Sequence, residues 1–353
     1  MTPLPSNLQE LTSVRALAAF IVVIFHQFFD AANPPSIGNN LIADGHLGVD
    51  LFFMLSGFIL AHVYLSAWRE GTFSYKRFLT NRFARLYPLH LTMTLIFVAA
   101  YQALAIMGAE TVAEGQNWAH LPWHLALMHA WGVTDGHSWN FPSWSVSAET
   151  FAYLMFPISL TIALIFRPVV TLVLAICLFV AASLFTLTVL DRPITKLMFD
   201  FGIIRVMTEF LIGLAIYLVM EKRRLPDVWV RPCLWISVAA VGLLSAFQAD
   251  ERLIVMALAV FLATLAHLAT QVRSNILRHP VLIYLGEISY ATYMVHILVL
   301  FAVPVVAQRI GGLSEQMTAV ISITTIYLAS ATLYHLIERP GRRWIRRLLG
   351  SPA

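Results

Sequence analysis

The feature that most constrains this chain is a succession of apolar stretches, each near twenty residues long. They fall at about 11–30, 47–67, 86–108, 144–166, 168–190, 200–220, 232–248, 253–271, 281–307 and 316–337. An α-helix rises 1.5 Å per residue, so ~20 residues cross a hydrocarbon core ~30 Å thick. The expected fold is therefore all-α: a polytopic transmembrane helical bundle of about ten spans. Charge content agrees, because only 12% of the 353 residues are charged. A soluble domain carries roughly twice that fraction to cover its surface. The segment 118–131, from Trp118 to Trp131, is too short and too rich in His and Trp to span. It reads as a re-entrant or interfacial helix. No period of 20–50 residues repeats and no tract is of low complexity. The first apolar run contains Arg15 and His26 and lacks a basic segment before it, unlike a cleavable signal peptide.

The basic residues orient the spans. Seventeen Lys and Arg fall in the connections of one side, among them Arg69, Lys76, Arg77, Arg82, Arg85, Lys222, Arg223, Arg224 and Arg342. The other side holds Arg192, Lys196, Arg252 and Arg309, and Arg15 and Arg205 lie within spans. Cytoplasmic connections are the Lys/Arg-rich ones, so both termini are expected in the cytoplasm. The pI of about 9.2 thus reflects orientation and not nucleic-acid binding. Cys177 and Cys233 fall on different spans and imply no disulfide framework. One transmembrane domain is expected over 1–340, followed by a basic cytoplasmic tail over 341–353.

Ionisable groups within spans are costly and mark functional candidates. Arg15 and His26 on the first helix are eleven residues apart, about 20° from three full turns, so they share a face ~16 Å apart. Arg15 lies near the cytoplasmic entrance and His26 in the outer half. The second span enters from outside through Gly48-Val49-Asp50, and a buried Asp50 needs a partner, for which a histidine at matching depth is the expected choice. Ser56-Gly57 on the same helix reads as a packing contact. Pro142 suits a helix start, with Glu149 about two turns below it. His296 climbs the ninth span to the depth of His26, so His26, Asp50, Glu149 and His296 are expected at one level. Arg205 and Glu209 form an i,i+4 pair that neutralises itself. His120, His124 and His129 include a helical spacing suited to a metal, but no third ligand is evident and no metal is expected. The segment Tyr75 to Pro88 interleaves basic and aromatic residues, as a headgroup anchor or a phosphate clamp would.

These residues resemble those of the membrane-bound acyltransferase-3 family. The matches are Arg15 with His26; Gly48-Val49-Asp50-Leu51-Phe52-Phe53 with Ser56-Gly57-Phe58; Arg82-Phe83-Ala84-Arg85-Leu86-Tyr87-Pro88; Pro142-Ser143-Trp144-Ser145 before Glu149; Gly286-Glu287-Ile288-Ser289-Tyr290 before Tyr293 and His296; and Glu338-Arg339-Pro340. They run in family order from end to end. Many members carry two adjacent acids where this chain has Glu149-Thr150.

The resemblance implies transfer of an acetyl or other short acyl group from acyl-CoA to a hydroxyl of an extracytoplasmic glycan or lipid-linked sugar, in a bacterial inner membrane. Acyl-CoA enters as co-substrate, with no tightly bound cofactor. Arg15, Arg82 and Arg85 are assigned to its phosphates, and Tyr290 and His296 to the same donor site. His26 is the general base on the acceptor hydroxyl, with Asp50 or Glu149 orienting the imidazole. An acyl-His26 intermediate is the competing route. The alternative class is a proton-coupled transporter or flippase, since buried Arg, His and acids also build proton relays; no inverted repeat supports it.

Overall fold

In the computed structural model, residues 8–30, 36–106, 116–271 and 275–350 are described, and among them every regular element is helical. The long helices are α1 (Gln9–Phe28), α3 (Gly48–Arg69), α4 (Tyr75–Ile106), α6 (Trp144–Ile165), α7 (Pro168–Val189), α8 (Gly202–Lys222), α9 (Asp227–Ala246), α10 (Glu251–Ala269), α12 (Ser289–Arg309) and α13 (Glu315–Leu333). Between them lie the short α2 (Ile37–Ala43), α5 (Leu121–Leu125) and α11 (Pro280–Glu287), and α14 (Arg339–Leu348) follows α13. Among the described residues, ten helical stretches are long and apolar enough to cross a bilayer. The chain is thus a multi-pass membrane protein.

Local chemistry sets the boundaries. Pro168 and Pro280 open α7 and α11, where a missing N–H costs nothing. Asp250 and Ser314 cap α10 and α13 by accepting from the backbone N–H of Arg252 and Met317. α7 and α9 turn large apolar side chains outward, among them Leu178, Leu184, Trp235 and Ile236. Lipid and not protein is the solvent for those faces.

Three sequence expectations change. The span expected from about 86 starts earlier: the basic segment from Tyr75 forms the first turns of α4, which runs on through Pro88. The expected ninth span begins as α11, breaks at Ile288 and resumes as α12. The segment 118–131 is not one helix. It is a 3-10 turn at Trp118–His120, the five-residue α5, and a chain reversal in which Leu127 takes φ 57°.

Internal contacts divide the chain into two compact units. The first comprises residues up to Phe73, Met155–Leu197 and Ile204–Glu287; the second comprises Ser74–Leu154, Met198–Ile203 and residues from Ile288 on. In the first unit α1 packs on α3, α10 and α11. Its N-terminal end is staked by Glu10, which accepts from Arg278 Nε at 2.6 Å and Asn275 Nδ2 at 2.9 Å. α3 and α8 cross in backbone contact. A Cβ on Gly57 would sit 1.9 Å from the Phe210 carbonyl oxygen, and one on Gly213 would sit 1.8 Å from that of Met54. The packing role read for Gly57 is therefore what the structure shows.

In the second unit α12 packs on α4 and α13, and α14 lies on α4. A π-helical turn, Tyr334–Glu338, joins α13 to α14. Gly341 then lets α14 approach α4, since a Cβ there would meet Pro88 Cβ at 2.6 Å. The expected basic tail is thus helical to Leu348 and packed.

Candidate active site

The first unit holds the histidine expected from the sequence to act as base. His26 lies in the last turn of α1 and is half-buried. Its Nδ1 donates to the Val22 carbonyl oxygen at 3.0 Å. A carbonyl only accepts, so Nδ1 carries the proton and Nε2 is the nitrogen with the basic lone pair. The Phe25 ring meets the imidazole edge-on, with centroids 4.7 Å apart. Arg15, three turns earlier on α1, is also half-buried.

Asp50, in the first turn of α3, is fully buried, and its partner is not a histidine. Arg205 of α8 grips it with both arms of the guanidinium, Nε to Oδ1 at 3.0 Å and Nη2 to Oδ2 at 2.6 Å. Glu209 is the weaker neighbour, its Oε1 3.9 Å from Arg205 Nε. The self-contained i,i+4 pair read from the sequence is therefore corrected. The guanidinium turns to the carboxylate on the other helix because the planar fork makes two charge-assisted hydrogen bonds there. Gly57 and Gly213 bring α3 and α8 close enough for it.

The second unit gathers the other expected residues. α6 follows a 3-10 turn, Phe141–Ser143, with Pro142 at its start. Ser145 Oγ donates to Tyr293 Oη at 3.0 Å, and Tyr290 Oη donates to the Leu86 carbonyl oxygen at 2.9 Å. The charged groups acting on the Tyr290 hydroxyl are Glu338, Glu149 and Arg85. His296 is fully buried, with Nδ1 donating to the Tyr293 carbonyl oxygen at 2.6 Å. Glu149, Tyr290 and Arg85 thus belong to one electrostatic neighbourhood.

A basic cluster continues it. Arg342 and Arg346 of α14 stand with Arg82 and Arg85 of α4, and Glu338 is the acid among them. Arg82 also lines a cavity of about 340 Å³, walled mainly by Leu79, Phe83, Leu86, Tyr153 and Leu154. A cluster of four guanidiniums, one of which lines an apolar cavity, suits a ligand with phosphates at one end and a long neutral arm at the other. Sequence reasoning missed Arg342 and Arg346 by reading them as tail. Their spacing with Arg343 and Arg347, and Gly341 before them, was the available signal.

The histidines of 118–131 form a separate buried group with His90 of α4. His120 Nδ1 and His124 Nε2 lie 3.0 and 3.3 Å from Ser138 Oγ, while His129 Nε2 lies 3.0 Å from Ser143 Oγ. His90 donates from Nε2 to the His124 carbonyl oxygen at 2.8 Å. The His124 and His129 rings stack within 9° of parallel at 3.7 Å. Rings so stacked cannot both aim at one metal ion, whose ligand lone pairs must converge in the ring planes. Burial, aided by neighbouring imidazoles, pushes His124 down to about 3 and His129 well below its ordinary value.

Comparison with known proteins decides the family. The model of a family described as an acyltransferase domain matches residues 8–335. The chain belongs to that family. It is 28% identical over 382 residues to Acyltransferase MdmB of Streptomyces mycarofaciens, covering 98% of this chain and 95% of that protein. It is 24% identical over 362 residues to the peptidoglycan O-acetyltransferase OatA of Listeria monocytogenes, covering 94% of this chain and 55% of OatA. A third relative, Protein 2 in the picA locus of Rhizobium radiobacter, is 36% identical over 131 residues, covering 36% of this chain and 64% of that protein. No solved structure gives a significant match. This membrane protein is an acyltransferase, which sets aside the transporter alternative.

Proposed function

We propose that this acyltransferase moves an acetyl or other short acyl group from cytoplasmic acyl-CoA to a hydroxyl of an extracytoplasmic glycan or lipid-linked sugar. The observation that carries the reading is His26 with its Nδ1 proton committed to the Val22 carbonyl oxygen, which makes Nε2 the basic ring nitrogen. The naming of OatA as a peptidoglycan O-acetyltransferase supports a glycan hydroxyl as acceptor.

The donor binds by its charged end. Its phosphates engage Arg82, Arg85, Arg342 and Arg346, and Tyr290 and His296 belong to the donor site. The cavity beside Arg82 gives the pantetheine arm an apolar wall. In the chemical step the acceptor oxygen attacks the thioester carbonyl while His26 Nε2 takes its proton. The C–S bond then breaks, and the CoA thiolate leaves with that proton as a thiol. In the two-step route His26 Nε2 attacks the thioester carbonyl, the C–S bond breaks and CoA leaves as a thiol with the imidazole's proton. The acceptor hydroxyl then attacks the acyl-imidazole, the C–N bond breaks and the hydroxyl proton returns to the imidazole. The Val22 carbonyl oxygen, which accepts from Nδ1, fixes the orientation and tautomer of the imidazole, and Asp50, expected in that role, is instead held by Arg205. The membrane is the bacterial inner membrane with both termini cytoplasmic, following the Lys/Arg distribution.

The test is cleavage of radiolabelled acetyl-CoA by the purified protein with glycan acceptor. Labelled glycan and free CoA should appear in equal amounts. A protein that binds acetyl-CoA but never releases CoA, whatever the acceptor, would overturn the proposal.

A further inference from the structure

A second cavity, of about 430 Å³, opens in the first unit where α8 leads into α9 and α10 ends. Its polar lining is Arg224, Arg231, Asp227, His267, Thr270 and Gln271. His267 donates from Nδ1 to the Ala263 carbonyl oxygen at 2.8 Å and accepts the Leu225 N–H on Nε2 at 2.9 Å. Both ring nitrogens are thereby committed and the imidazole is neutral. The charges that remain are two guanidiniums and one carboxylate, so the lining carries one net positive charge.

The helix beside the cavity faces lipid. Val228 is 72% exposed, Trp229 58%, Trp235 70% and Ile236 67%. Trp229 lies in the first turn of α9, the place of an interfacial indole on a spanning helix. From this point the apolar face runs along α9. A basic recess at a helix end, continuous with an exposed apolar face, has the shape of one particular ligand: a phosphate head with acyl chains attached.

We propose that this cavity binds the headgroup of a phospholipid with one net negative charge, of the phosphatidylglycerol type. Arg224 and Arg231 take the phosphodiester oxygens, Thr270 and Gln271 offer hydrogen bonds to the glycerol hydroxyls, and the acyl chains lie along Trp235 and Ile236. Basic pockets between spanning helices on the Lys/Arg-rich side bind anionic headgroups in this way. A single compensating charge favours a phosphodiester over a doubly charged monoester. The site is independent of the acyl-transfer chemistry.

The test uses the full-length protein, delipidated in neutral detergent and titrated with phosphatidylglycerol or phosphatidylcholine, with bound lipid counted by native mass spectrometry. Phosphatidylglycerol should bind the wild type in preference to phosphatidylcholine. Arg224→Gln and Arg231→Gln should each weaken it about fivefold. Asp227→Asn, which raises the net charge of the lining, should tighten it, a direction no folding defect would produce. Lys222→Gln with Arg223→Gln, on exposed basic residues outside the lining, should leave it unchanged. Equal binding of the two lipids, or equal loss in the Lys222/Arg223 control, would overturn the proposal. Displacement of the lipid by inorganic phosphate would assign the site to a soluble phosphate compound and refute the lipid.

Discussion

Arg205→Met tests how the first unit is held together at its most polar point. The guanidinium and the Asp50 carboxylate are 1% and 0% exposed and share two hydrogen bonds, and Glu209 beside them is also 0% exposed. Methionine keeps much of the aliphatic volume but leaves two carboxyl groups buried without a cation. Removing one partner of a buried ion pair costs about 3–5 kcal/mol, because the other charge stays desolvated. At ~1.4 kcal/mol per decade, that is two to three and a half orders of magnitude in the unfolding equilibrium. The assay is reversible unfolding of purified protein in mixed micelles, followed by tryptophan fluorescence, for Arg205→Met, Asp50→Leu and the double variant. The single Arg205 variant should be the worst of the three, and Asp50→Leu added to it should restore part of the loss. A penalty below about 1 kcal/mol for Arg205→Met would place that site in contact with water and refute the reasoning.

Three further outcomes follow from the geometry. Gly57→Ala puts a methyl carbon 1.9 Å from the Phe210 carbonyl oxygen, so α3 and α8 must separate and stability should fall by about 1–3 kcal/mol in the same unfolding assay. Arg82→Ala and Arg342→Ala should each raise the Kd for acetyl-CoA about tenfold by calorimetry, with Arg→Lys a partial rescue, since an ammonium lacks the bidentate fork; unchanged affinity in both alanine variants would remove the phosphate clamp. The buried imidazoles of His124 and His129 bind protons less readily folded than unfolded, so the stability they confer is present above about pH 6.5 and is lost as pH falls towards about 3. His124→Gln should flatten that acid slope in thermal unfolding, and an unchanged slope would show that these rings titrate freely.

Most of the fold was legible because a spanning helix is specified by length and hydropathy, properties local to twenty residues. The ten spans come out accordingly, with one of them broken at Ile288 and another extended back to Tyr75. What was not legible depends on which helices touch. Asp50 was read as needing a histidine because depth along a helix is visible in sequence and neighbourhood across helices is not. Its true partner, Arg205, carried a decoy four residues away in Glu209. Arg342 and Arg346 were hidden for a similar reason: a basic run after the last span looks like tail until Gly341 docks it on Pro88. The charged residues nearest Tyr290, by contrast, all came from segments the sequence had singled out, since Glu149, Arg85 and Glu338 each sit in a family motif.

In the proposed function one imidazole, that of His26, drives transfer from a donor inside to an acceptor outside. Sealed vesicles of known orientation, supplied with radiolabelled acetyl-CoA on the cytoplasmic face and glycan acceptor on the other, test it directly. Wild-type protein should release CoA only on the donor side and labelled glycan only on the acceptor side, and His26→Ala, inserted at normal yield, should lose a hundredfold or more of that rate. Labelled glycan on the cytoplasmic face, or a His26→Ala protein retaining more than about a tenth of the activity, would contradict the account.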